Sequence, residues 1–139
     1  MPKRKKTLDI QSPYSAAFTA ASMMYREMTV LLPLLKDEHA GDLIKKEIEE
    51  NKLLCINSLN SRKRVVSELQ RRYKAVPVAF WDNYLQMDER AQRVALLYVL
   101  LKTYQLLFDM HICVTLNLWR SASAEIQASD VMLYVNELA

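Results

Sequence analysis

A single glycine, Gly41, stands in 139 residues. Phosphate-cradling P-loops and dinucleotide fingerprints each need at least two glycines at fixed spacing, so both are excluded. Primed hairpin turns lean on Asn-Gly or Asp-Gly, and neither dipeptide occurs. Four prolines add little further punctuation. Two cysteines, Cys55 and Cys113, lie far apart, which leaves no zinc ribbon and no CxxC redox pair. Each sits among apolar neighbours and reads as a small buried hydrophobe in a reducing compartment. His39 and His111 are equally isolated, so no metal site is expected. The longest apolar run, Val94 to Leu101, is far short of the ~20 residues that span a bilayer. The basic N-terminus has no apolar stretch behind it and is not a signal peptide. A soluble, cytoplasmic protein is expected.

What is present is helical in pattern. Apolar residues make up 51% and charged residues 25%, the balance of a globular chain with one core. The organisation expected is a flexible basic arm over 1–13 and one helical domain over 14–139. The first helix is capped by Ser12 or Ser15, passes Ala16, Ala17, Phe18, Ala20, Ala21, Met24 and Met28, and stops near Leu32 before Pro33. A second spans about Asp42 to Leu54, with Leu43, Ile44, Ile48 and Leu53 inward and Lys45, Lys46, Glu47, Glu49 and Glu50 in water. Gly41 suits the turn before it. A third runs from Asn60 to Tyr73, and a short fourth opens near Pro77 with Phe80, Trp81, Tyr84 and Leu85.

Asp88 caps the fifth, which runs to about Met110. Its run from Val94 to Leu101 is apolar all round, so it is expected to be buried on every side with the others packed about it. A further helical stretch continues through Leu116, Leu118 and Trp119. Ser129-Asp130 opens a last amphipathic helix that reaches Ala139 without a C-cap. The chain is therefore expected to be the amino-terminal part of a longer protein.

Charge is unevenly placed. Up to Lys74 there are 15 Lys and Arg against 9 Asp and Glu; from Ala75 onward there are 4 against 7. The basic surplus of the front half concentrates on the third helix. Val65, Val66, Leu69 and Tyr73 fall within one arc of about 100° at helical spacing. Lys63, Arg64, Ser67, Gln70, Arg71 and Lys74 lie on the far side with no acid among them. Cations neutralise phosphates, and hydroxyl and amide groups bond to phosphate or base edges, so this stripe suits a polyanion. The alternative is an ordinary solvated face. The arm residues Lys3, Arg4, Lys5 and Lys6 supply a second flexible contact. No constellation meets the first requirements of an active site, so no enzyme and no cofactor are expected.

Three segments together resemble a known family: Ser15-Ala16-Ala17-Phe18-Thr19, the stretch from Asn60 through Arg62 to Arg71-Arg72-Tyr73-Lys74, and the Leu97–Phe108 run with Tyr98 and Tyr104. The chain is similar throughout to the BrxA family of bacterial BREX phage-defence systems. The resemblance implies an all-α bundle of about six helices like the antitermination factor NusB, around the 88–110 helix. It implies a cytoplasmic, non-enzymatic protein that binds nucleic acid, double-stranded DNA first, beside other BREX proteins. The contacts it implies are Arg62, Lys63, Arg64, Arg71, Arg72 and Lys74. Family members continue past the equivalent of Leu138. A protein–protein adaptor, anchored by Trp81 or Trp119, is the alternative function.

Overall fold

A computed structural model of the chain describes residues 22–121 and 125–138. Every regular element among them is a helix, as expected for the all-α class. The arrangement is compatible with the NusB-like architecture that the resemblance implies. The arm at Lys3, Arg4, Lys5 and Lys6 lies outside the described residues. So do the Ser12 or Ser15 cap and the small-residue entry from Ala16 to Ala21. The described chain falls into two compact units, one within Ala17–Thr103 and one within Tyr104–Ala139.

In the first unit, α1 (Tyr25–Lys36) buries Met28, Leu31, Leu32 and Leu35, a three-and-four spacing that puts them on one stripe. The helix runs through Pro33 and does not end before it. Proline inside a helix costs about 3 kcal/mol, because it removes one backbone donor and crowds the preceding turn. Pro33 faces solvent, and continuing the helix seats Leu35 in the core. Burying a leucine returns roughly 1.5–3 kcal/mol, enough to offset much of that cost.

The next helix, α2 (Ala40–Glu50), ends at Asn51 in a left-handed conformation. Gly41 lies inside its first turn and does not have positive φ. The left-handed positions fall instead on Met24, Asn51 and Cys55. Glu47, expected in water, is buried at 5% exposure. Its Oε1 accepts from the backbone N–H groups of Leu53 (2.7 Å) and Leu54 (2.9 Å). Asn51 Oδ1 accepts from Ile56 N, and the Arg26 guanidinium donates to the Leu53 and Leu54 carbonyls. Leu54 replaces Leu53 as the inward leucine of this loop. Cys55 and Cys113 are both exposed, so neither is the core residue that its apolar neighbours suggested.

Ser58 caps α3 (Leu59–Lys74), its hydroxyl accepting from Ser61 N. After three residues α4 (Val78–Gln86) follows, with Pro77 just before its first turn. Trp81 and Tyr84 are fully buried. Trp81 donates its indole N–H to the Tyr73 carbonyl and stacks on the Tyr73 ring. Phe80 and Tyr84 meet Trp81 edge-on. Trp81 is thus a core residue and cannot anchor a partner.

Asp88 caps α5 (Glu89–Thr103), its Oδ1 accepting from Ala91 N at 2.8 Å. This helix buries only Ala95, Leu96, Val99 and Leu100. Val94 is 69% exposed, and Leu97 and Tyr98 are exposed too. The helix packs along α3 and α4, so one stripe is enough to join it to the core. It also stops at Thr103, where the expected helix continued to about residue 110. Tyr104 is extended and buried, and a new helix starts after it.

In the second unit, α6 (Gln105–Met110), a π-helical stretch (His111–Thr115) and α7 (Leu116–Arg120) follow one another. The last element, α8 (Ala128–Leu138), packs against the π-helical stretch. Asp130 Oδ2 accepts from Gln127 N, which ties down its start. Trp119 is 75% exposed. No single helix among the described residues is long and apolar enough to cross a membrane.

Candidate nucleic-acid interface

The stripe that periodicity assigned to the inside of α3 is inside. Val66 and Leu69 are buried, and Val65 and Tyr73 are half-buried against them. The opposite face is open. Lys63, Arg64, Ser67, Arg71 and Lys74 are exposed, and Gln70 is half-buried. Asn60 and Ser61 extend the exposed face toward the start of the helix.

Glu68 is the one acid on α3. Its side chain is turned aside, 13% exposed, and its Oε1 accepts from Arg72 Nε at 3.2 Å. Its other oxygen lies 3.9 Å from Arg71 Nη1. With Arg71 itself exposed, a contact at that distance is worth at most ~1 kcal/mol and leaves Arg71 able to meet an anion. Among the residues of α3, the face toward solvent therefore carries cations and neutral hydrogen-bonding groups, with no exposed acid.

Two of the contacts that the family resemblance implied do not reach this face. Arg62 is buried at 9% exposure. Its Nε donates to the Ile48 carbonyl at 2.8 Å, and its Nη1 donates to Ile56 (2.6 Å) and Asn57 (3.1 Å). It closes the loop between α2 and α3 over the end of α2. Arg72 is buried at 2% and donates through Nη1 to the Met23 carbonyl at 3.0 Å. Burial lowers the Arg72 pKa from its ordinary value, and the Glu68 carboxylate opposes that shift. Both arginines fix the fold and are not placed to meet phosphate. Their positions on the helical wheel carry the signal: Arg62 falls within the apolar arc, beside Leu69 and Tyr73, and Arg72 at its edge beside Val65, both outside the basic stripe that periodicity draws.

The remaining candidates among the described residues are not assembled into a site. Lys3, Arg4, Lys5 and Lys6 lie outside the described residues. His39 is exposed, with Asp37 its acidic neighbour, and His111 is half-buried. No group of three or more His, Cys, Asp or Glu among the described residues could hold a metal ion. Sequence reasoning missed the open groove of about 380 Å³ in the second unit. Cys113, Val114, Asn117 and Leu118 line one side, and Asp130, Leu133, Tyr134 and Glu137 line the other. No spacing in the sequence brings these two segments together.

Comparison with curated proteins and with solved structures gives no match. Comparison with family models gives one, described as BrxA, over residues 12–139. That stretch is essentially the whole chain, so the protein belongs to the BrxA family and is associated with BREX phage defence.

Proposed function

We propose that the chain is a non-enzymatic, cytoplasmic accessory component of a BREX system that binds nucleic acid, double-stranded DNA first, through the exposed face of α3. The observation that carries this reading is the composition of that face. It holds Lys63, Arg64, Arg71 and Lys74 in the open while the single acid of the helix is turned aside. Cations on one face displace the counterions condensed on a duplex, and that release supplies most of the affinity of such surfaces. Ser67 and the half-buried Gln70 add hydrogen bonds to phosphate oxygens.

A gel-shift comparison of duplex DNA, single-stranded DNA and RNA tests it. Duplex DNA is expected to bind, and the triple reversal Arg64→Glu, Arg71→Glu, Lys74→Glu is expected to abolish the shift. Equal binding by the triple variant rejects this surface.

One observation favours a second reading, a protein-binding adaptor. Trp119 is 75% exposed, with Phe108 and Ile112 also exposed on the same helical run. Exposed aromatics of this kind act as anchors in protein interfaces. A pull-down with the other BREX proteins separates the two: loss of capture by Trp119→Ala with no DNA shift at all supports the adaptor.

A further inference from the structure

The exposed face of α3 has an internal layout that phosphate attraction alone does not require. At about 100° per residue the helix places Lys63 and Lys74 along one edge of the open face and Arg64 and Arg71 along the other. Between those two lines run Asn60 and Ser67, two helical turns or about 10 Å apart along the axis. All six are exposed. The central line is uncharged and hydrogen-bonding; the cations flank it on both sides.

A helix that tracks a single strand from outside needs one line of cations. Two lines with a neutral strip between them fit a helix lying between two phosphate backbones. We infer that α3 enters the major groove of B-form duplex DNA, with Asn60 and Ser67 turned to the base edges and the cationic edges turned to opposite strands. The inference rests on the nucleic-acid reading above and adds to it the groove and the base-facing residues.

The dimensions select the groove. A helix with its side chains is about 10–12 Å across. The B-form major groove is about 12 Å wide and admits it, whereas the minor groove, at about 6 Å, does not. The major groove of A-form RNA is deep and narrow, so duplex RNA does not accept the same docking. The chemistry agrees. An asparagine amide can both donate to and accept from one adenine edge, and a serine hydroxyl can do either toward any base. Ser67 is short, which lets the helix backbone approach the groove floor. The apolar stripe behind it stays in the core, so the docked helix need not leave its place.

The test uses the full chain and two duplexes of one sequence. One is plain, and in the other the cytosines carry a glucosylated 5-hydroxymethyl group. The sugar fills the major groove and leaves the phosphate charge unchanged. Affinity for the glucosylated duplex is expected to fall by ~10-fold or more, the scale of one lost bidentate base contact. Ser67→Trp, an exposed change whose fold is checked by circular dichroism, is expected to lose as much on the plain duplex. Duplex RNA of the same sequence is expected to bind more weakly than DNA. Equal affinity for both duplexes, with Ser67→Trp binding like the parent, overturns groove entry and leaves phosphate binding standing. Absence of binding to any duplex overturns both readings together.

Discussion

Arg62 shows how one side chain can be spent on the fold. Its guanidinium reaches Ile48, Ile56 and Asn57 at once, so it serves the carbonyl end of α2 and the last residues of the loop before α3. An acceptor left unsatisfied inside a protein costs ~1–3 kcal/mol. Arg62→Ala is therefore expected to lower unfolding free energy by ~2–4 kcal/mol in urea titration, several such acceptors being freed together. Arg62→Lys should recover only part of that, since an ammonium has no planar fork with which to span the three carbonyls. Gly41 is the opposite case. A Cβ at this position meets nothing within 4 Å, and its φ is not positive. Glycine inside a helix costs ~0.5–1 kcal/mol relative to alanine, so Gly41→Ala should stabilise the chain by about that much, read as a rise in Tm.

At the scale of the element, α5 decides how far pattern reading can go. Leu96 and Leu97 are neighbours in an unbroken apolar run, yet Leu96 is 2% exposed and Leu97 39%. Leu96→Ala should cost ~2–5 kcal/mol in chemical denaturation, the usual range for emptying a core leucine site. Leu97→Ala should cost well below that, because half-open sites leave little cavity. Equal losses would mean that the apolar run is buried all round, as composition alone suggests. Composition identifies a helix here, but which faces are covered depends on where α3 and α4 pack, and that is tertiary information. The same limit explains Pro33, where burial of Leu35 offsets a local penalty that sequence rules treat as final. It explains Glu47 too, since a carboxylate in a charged run looks solvated until the loop at Leu53 and Leu54 folds onto it. On α3 the periodicity was sufficient: the arc of Val65, Val66, Leu69 and Tyr73 is the packed one, and the basic stripe opposite is open. Only Arg62 and Arg72, which the resemblance implied against the wheel, are misplaced. The Asp88 cap was legible for a similar reason, because capping is settled within one turn of chain.

For the molecule as a whole, a net charge of +3 understates what a polyanion would meet. Much of the positive charge of the front half is neutralised or withdrawn. Lys52 and Lys46 face Glu50, Lys36 is paired with Asp82, and Arg62 and Arg72 are inside. What α3 exposes is a four-cation face, Lys63, Arg64, Arg71 and Lys74. This face is proposed to make the phosphate contacts. Each phosphate contact contributes about 0.9 to the slope of log affinity against log salt concentration on B-form DNA. The most direct measurement is therefore that slope for the parent chain and for the quadruple variant Lys63→Gln, Arg64→Gln, Arg71→Gln, Lys74→Gln. The slope is expected to become shallower by ~3–4, with affinity falling most at low salt. A slope unchanged by removal of all four cations would contradict that proposal.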